Sequence, residues 1–214
     1  MKLEISQYTL YQTLQDKGNH EECEREGPYP CNWDNSWLGE GFYFWFHHLE
    51  LAIWWGSVKP NLKKSGFVVY KTICSNISLC WDLHGNPYHQ EEFIKWLKKM
   101  KLTGIVDEKT TVCQVLEFIK GESIEFKEQY QAIKILGVDS LSKISAEKFH
   151  MPRLRFETPR NEDTESQRFL AYFELIPPVQ VCLFNKNSLL RKGFDVVFPE
   201  RYLKENRVFT EIFI

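Results

Sequence analysis

The chain has 214 residues, a net charge of −2, and 43% hydrophobic and 26% charged residues. This length and balance are typical of a folded globular domain and argue against a disordered or fibrous protein. The near-neutral charge offers no general electrostatic attraction for nucleic acid or an anionic membrane. We therefore expect one domain over residues 1–214, without a clear nucleic-acid patch.

The start of the chain and its cysteines favour a cytoplasmic protein without a membrane partner. Met1–Ser6 lacks an apolar core of signal-peptide length, and no later apolar run reaches the roughly 18 residues of a membrane helix. The six cysteines contain no Cys-x-x-Cys pair, and the histidines miss the His-Glu-x-x-His spacing. We assign no metal site and expect free thiols.

Extended segments are predicted towards both ends of the chain, where apolar, aromatic and β-branched residues form short runs. They are Lys2–Ile5, Tyr8–Thr13, Phe42–Trp45, Gly66–Thr72, Ile77–Trp81, Phe169–Leu175, Val179–Phe184, Gly193–Phe198 and Val208–Ile214. Between the second and third segments, Gly18–Ser36 shows no period, which indicates a long irregular connection.

Helices are predicted mainly in the middle of the chain, where apolar residues recur at helical spacing. They are Leu49–Trp55, stopped by Gly56, then Gln90–Lys101, Thr111–Lys120 and about Glu122–Leu136, stopped by Gly137. A polar segment from Met151 to Arg168 follows and predicts a long exposed loop that carries Arg153 and Arg155. Strands at both ends with helices between them predict an α+β fold with mainly antiparallel sheets and a mainly helical insertion at about 88–150.

The most informative segment is Trp37–Trp45, in which Gly39 and Gly41 lead directly into a run of aromatic residues. Both glycines permit positive φ and let another molecule approach the backbone closely. The aromatic strand that follows provides a wall for a flat ring. The same pattern also fits a plain β-turn that leads into a core strand.

Three separated segments, taken in order, resemble the ADP-ribosyltransferase fold. They are Tyr11-Gln12-Thr13, the segment Trp-Leu-Gly-x-Gly-x-Tyr-Phe-Trp at 37–45, and Val179–Leu183. The resemblance is to the diphtheria-toxin-like and poly-ADP-ribose-polymerase-like branch, and to small bacterial members with a Gly-x-Gly-x-Tyr-Phe segment. Ala52–Trp55 occupies the place where those members carry an Ala and a Trp. The resemblance implies split, mainly antiparallel sheets around a cleft for NAD, whose ADP-ribose is passed to an acceptor.

The resemblance also implies roles for residues at matching positions. Gln12 stands at the family's His, which binds the adenosine ribose, and the backbone of Thr13 would bind the nicotinamide amide. Gly39 and Gly41 would let NAD approach, and Tyr43 would stack on the nicotinamide ring. Gln180 stands near the family's Glu, which binds the nicotinamide ribose and stabilises positive charge in the transition state.

The two glutamines depart from the family pattern, and the departure leaves activity open. Gln180 carries no charge to oppose a developing cation, although Glu174 or another nearby carboxylate would take that role if the register differs. If the chain is an enzyme, the resemblance implies an NAD-dependent mono-ADP-ribosyltransferase whose acceptor enters beside Arg153 and Arg155. The alternative is a catalytically silent module of this fold that binds a nucleotide or a protein partner.

Overall fold

The computed structural model describes residues 7–31, 36–137, 153–155 and 172–207. Two compact units are present: Met1–Leu136 with Val179–Ile214 form the larger, and Gly137–Pro178 form the smaller. Within the smaller unit, strands β6 (Arg153–Arg155) and β7 (Tyr172–Glu174) pair antiparallel, with Arg153 opposite Glu174. The predicted segments Lys2–Ile5 and Val208–Ile214 lie outside the described residues.

The larger unit contains a seven-stranded sheet in the order β4-β5-β8-β2-β1-β3-β9. Within the described residues, β4 and β5 form its one parallel pair, and the other neighbours are antiparallel. The predicted α+β class with a mainly antiparallel sheet is therefore confirmed. The strands of the chain are β1 Tyr8–Gln15, β2 Phe42–Phe46, β3 Phe67–Cys74, β4 Cys80–Asp82, β5 Ala132–Leu136, β6 Arg153–Arg155, β7 Tyr172–Glu174, β8 Val179–Leu183 and β9 Lys192–Phe198.

Helices lie against the sheet, and α2 contacts β1, β2 and β3. None of the described helices is long and apolar enough to cross a membrane. The helices are α1 His20–Glu26, α2 Leu49–Val58, α3 Pro60–Ser65, α4 Pro87–Leu102, α5 Val112–Glu122, α6 Ile124–Gln129 and α7 Lys204–Arg207.

Two hydrophobic clusters form the core because successive side chains of a strand point to opposite faces of the sheet. On β8, Val181 and Leu183 join the first cluster, together with Leu10 and Phe44. Cys182 joins the second cluster, which gathers residues of α4, α5 and α6. Alternation along the strands thus decides which residues can meet on either face.

The prediction of one helix over Glu122–Leu136 is wrong. A separate helix, α6, begins at Ser123, whose hydroxyl accepts a hydrogen bond from the Phe126 N–H. The chain is extended at Tyr130, and Ala132–Leu136 forms β5 between β4 and β8. Pairing on both edges and complete burial of Ile133 outweigh local helical periodicity.

Three further boundaries differ from the prediction. The segment predicted to be irregular contains α1, whose lack of period follows from Cys23 being its one buried residue. Gly56 lies inside α2 rather than ending it, because the missing Cβ leaves room for the ring of Phe67. The segment Ile77–Trp81 begins with a 3₁₀ turn, and Arg153–Arg155 is a strand rather than a loop.

Candidate functional site

The glycine turn before β2 is held by the hydroxyl of Tyr43. This hydroxyl donates to the Gly39 carbonyl at 2.7 Å and accepts from the Leu38 N–H at 2.9 Å. Gly39 has a φ of +81°, a conformation that favours glycine. At Gly41, a Cβ would lie 2.5 Å from the Cys182 Sγ. Gly39 is therefore explained by the conformation of the turn, and Gly41 by the close approach of β8.

The sheet opens between β1 and β2 beyond one short stretch of pairing. Leu10 pairs with Phe46 and Tyr11 with Trp45, and the pairing ends there. The next rung would join Thr13 to the Tyr43 carbonyl, but that carbonyl accepts from Gln12 Nε2 at 3.3 Å. Backbone groups alternate between the two edges of a strand, so the N–H and C=O of Thr13 face the opening.

The amide of Gln12 also binds the backbone of Tyr29. Its Nε2 donates to the Tyr29 carbonyl at 2.8 Å, and its Oε1 accepts from the Tyr29 N–H at 3.1 Å. These two hydrogen bonds have the donor and acceptor pattern of a backbone pair in a β-sheet, and they hold the segment after α1 against β1. Both N–H groups of this buried amide are thereby used within the protein.

A cavity of about 210 Å³ lies at the opening between β1 and β2. Four of the predicted site residues line it: Gln12, Thr13, Tyr43 and Gln180. Gly39 and Gly41 are not among the described residues that line it. Segments far apart in the chain are thus brought to one place.

The side chains at the cavity come from both faces of the sheet. Tyr43 and Gln180 lie on the face that α2 covers with Trp45, since Trp45 is opposite Gln180 on β8 and two residues from Tyr43. Gln12 lies two residues after Leu10 on β1, so both side chains are on the other face of the sheet. Thr13 points towards α2, where its hydroxyl donates to the Ala52 carbonyl at 2.7 Å.

The amide of Gln180 is held at one of its two polar atoms by Trp37. Its Oε1 accepts from the Trp37 indole Nε1 at 3.0 Å. No partner for its Nε2 is found within the part of the chain that the structure describes. The residue is 8% exposed and lines the cavity, so this amide lies in the cavity wall rather than in bulk water.

Eleven further described residues line the cavity and are not among the predicted site residues, and Trp37, Trp55 and Lys59 are three of them. The Lys59 Nζ lies 4.1 Å from the centroid of the Trp55 ring. Trp55 belongs to the Ala52–Trp55 segment of the resemblance, which implies no role for its side chain. Its position four residues before Lys59, one helical turn away, was the available signal.

The described lining of the cavity carries one charged side chain, that of Lys59. Among its described lining residues, no carboxylate is present and Lys59 is the one ionised side chain at neutral pH. Burial raises the pKa of the Tyr43 phenol far above its usual value, and burial followed by Glu50 raises the pKa of Tyr11. Both phenols therefore remain protonated at neutral pH.

Glu174, the alternative to Gln180, lies on β7 in the smaller unit.

No protein-family model matches this chain, and neither the curated proteins nor the solved structures yield a significant match. The residues that line the cavity are therefore the basis for proposing a function.

Proposed function

We propose that this chain is an ADP-ribosyltransferase-like protein that binds NAD at the cavity between β1 and β2 and transfers ADP-ribose to an acceptor. One observation carries the proposal: Thr13, Tyr43 and Gln180, selected from three separate segments, line the same cavity. A chance resemblance gives no reason for these segments to meet beside an opening in the sheet.

The exposed edge of β1 supports binding of the nicotinamide carboxamide. The Thr13 N–H donates to the carboxamide oxygen, and the Thr13 carbonyl accepts from its NH₂ group, because both groups face the opening where the pairing with β2 has ended. The aromatic side chains of Tyr43 and Trp55 provide apolar surface for the pyridine ring. A stacked aromatic contact contributes about 0.5 to 1.5 kcal/mol.

The size of the cavity suits one end of the dinucleotide. Its volume of about 210 Å³ is smaller than the roughly 300 Å³ at which pockets for complete ligands begin. The nicotinamide ring and its ribose occupy the cavity, and the phosphates and adenosine extend beyond it.

The reaction breaks the bond between the nicotinamide nitrogen and the anomeric carbon of ribose. The bonding electrons leave with neutral nicotinamide, and positive charge develops on the ribose until the acceptor attacks. Gln180 Nε2 donates to a ribose hydroxyl and holds the sugar in place. A neutral amide does little to stabilise the developing charge, so turnover is about 10²- to 10³-fold slower than with a carboxylate.

Binding without turnover is the second candidate function. It is favoured by the absence of a carboxylate among the described residues that line the cavity. In that case the protein retains NAD or a related nucleotide and acts through the bound state.

Two matched variants of Thr13 test NAD binding by isothermal titration calorimetry. Thr13→Pro removes the N–H that faces the opening and leaves the β3 ladder intact, whereas Thr13→Val removes only the hydroxyl bond to Ala52. We expect the valine variant to bind NAD like the natural chain and the proline variant to bind at least tenfold more weakly. The proposal is refuted if the natural chain binds no NAD at millimolar concentration, or if a folded Thr13→Pro variant binds it normally.

Nicotinamide release, followed by chromatography, separates the transferase from the silent module. We expect slow release by the natural chain and about 10²- to 10³-fold faster release by Gln180→Glu. Gln180→Leu, which keeps similar bulk without a donor, should be slower than both. If NAD binds but neither the natural chain nor Gln180→Glu releases nicotinamide, the silent module is correct.

A further inference from the structure

The side-chain amide of Gln180 is oriented by the indole of Trp37. Its Oε1 accepts from the Trp37 Nε1–H at 3.0 Å, although the two residues are 143 positions apart in the chain. An indole N–H can only donate, so the amide atom beside it has to be the oxygen. The NH₂ group of Gln180 is therefore the end of the amide that does not face the indole.

The backbone around Trp37 is fixed by the glycine turn. The Gly39 N–H donates to the Ser36 carbonyl at 2.9 Å and closes the turn around Trp37. The Tyr43 hydroxyl accepts from the Leu38 N–H at 2.9 Å and donates to the Gly39 carbonyl at 2.7 Å. The hydroxyl that holds the turn thus also holds the indole in place.

The backbone of Gln180 is fixed because β8 lies in the interior of the sheet. Gln180 is buried and lies opposite Trp45 on β2 and Ile135 on β5. The last torsion of a glutamine side chain has broad, roughly two-fold preferences, so this torsion alone does not distinguish the two ends of the amide. Within the described residues, the bond from Trp37 is the one side-chain hydrogen bond that Gln180 makes. The indole therefore decides which end of the amide is turned towards it.

The two ends of the amide differ in partial charge, and the difference matters when the glycosidic bond breaks. The NH₂ group is the positive end, and the carbonyl oxygen is the negative end. As positive charge develops on the ribose, a facing oxygen stabilises it, whereas a facing NH₂ group opposes it. An amide held with its oxygen against the indole therefore suits binding of the sugar better than cleavage.

We propose that Trp37 is a positioning residue that keeps the Gln180 oxygen away from the ribose, so that the site retains NAD longer before cleaving it. This inference rests on the proposed function, in which Gln180 Nε2 donates to a ribose hydroxyl. Loss of the indole N–H lets the amide turn round, and part of the population then presents its oxygen to the developing charge.

Nicotinamide release from NAD, followed by chromatography, tests this role in a double-mutant cycle. Water is the acceptor in this assay. The bond from the anomeric carbon to nicotinamide breaks with its electron pair on nicotinamide, a water oxygen bonds to that carbon, and a proton passes to solvent. The cycle comprises the natural chain, Trp37→Phe, Gln180→Glu and the double variant. Phenylalanine keeps an aromatic ring at position 37 and removes the N–H donor.

The two backgrounds should respond in opposite directions. Trp37→Phe should release nicotinamide about three- to tenfold faster than the natural chain, a small part of the gain of about 10²- to 10³-fold expected from a carboxylate. With Gln180→Glu present, the same change should slow release about threefold or more. Both carboxylate oxygens carry charge, so turning brings no gain, and the carboxylate loses the N–H that holds it. A purely structural contribution of Trp37 would shift both backgrounds in one direction, and that result overturns the inference.

The matched control is Trp96→Phe on α4. Trp96 packs against Phe118 and is not among the described residues that line the cavity. Nicotinamide release and NAD affinity should therefore stay within about twofold of the natural values.

The remaining outcomes separate this inference from the function on which it rests. If Gln180→Glu releases nicotinamide but Trp37→Phe is no faster than the natural chain, the role of Trp37 is refuted while the transferase proposal stands. Loss of NAD binding by Trp37→Phe in calorimetry also refutes that role, because turning the amide leaves the cavity in place. If Gln180→Glu binds NAD without releasing nicotinamide, the transferase proposal fails and the inference fails with it.

Discussion

Truncation of Gln12 to alanine should destabilise the protein substantially, although this residue lines the candidate site. The substitution removes two hydrogen bonds to Tyr29 and one to the Tyr43 carbonyl. Each such bond contributes about 1 kcal/mol net, so the three together amount to about 3 kcal/mol. Because Gln12 is 6% exposed, the backbone groups of Tyr29 lose their partner where water has little access.

Urea denaturation followed by circular dichroism measures this loss, with Gln15→Ala as the matched control on the same strand. Gln15 is exposed, so its truncation should change the free energy of unfolding by less than about 0.5 kcal/mol. For Gln12→Ala, a loss of about 3 kcal/mol corresponds to a fall in Tm of roughly 6 to 12 °C. If Gln12→Ala lowers the free energy of unfolding no more than Gln15→Ala does, the Tyr29 contact does not stabilise the fold. The role of Gln12 would then be the ligand contact that the resemblance implies.

Three further outcomes are expected. Gly41→Ala should lower the free energy of unfolding by about 1 to 3 kcal/mol in urea denaturation, because its Cβ would lie 2.5 Å from Cys182 Sγ; a neutral result would mean that the turn adjusts. Lys134→Met should lower the free energy of unfolding by about 3 kcal/mol, since the partly buried Asp82 loses an ion pair of 2.6 Å with the buried Lys134, and a calorimetric Tm equal to that of the natural chain would contradict this. Burial raises the pKa of Cys182 to about 12 and that of Tyr43 further, so the unfolded chain ionises first. The free energy of unfolding is then highest below about pH 9 and falls as the pH rises towards 12. A free energy of unfolding that stays constant between about pH 8 and 11 would contradict the raised pKa of these two groups.

Local patterns predicted the elements whose signal is repeated along the chain. Alternation identified β1, aromatic and β-branched runs identified β2, β3 and β8, and apolar spacing identified α4 and α5. Only short-range preferences are needed for these elements, because each buries one regular face or two. The α+β class followed from their order.

Local patterns failed where a contact from elsewhere in the chain determines the conformation. Ile133 continues the helical spacing of Phe126 and Tyr130, yet Ala132–Leu136 becomes a strand because β4 and β8 offer pairing on both of its edges. A glycine at position 56 predicts the end of a helix, yet Gly56 lies inside α2 because the ring of Phe67 occupies the space that a side chain would fill. Neither partner is visible within the window from which periodicity is judged.

The candidate site divides in the same way. The sequence by itself selected the segments that carry Gln12, Thr13, Tyr43 and Gln180, because their resemblance to the ADP-ribosyltransferase fold lies in short local motifs. Only the tertiary structure decided that pairing of β1 with β2 ends after Tyr11, that the Gln12 amide is used by Tyr29, and that Trp55 and Lys59 complete the cavity. The physical reason is that strand pairing and helix packing join residues far apart in the chain, and no local preference encodes those distances.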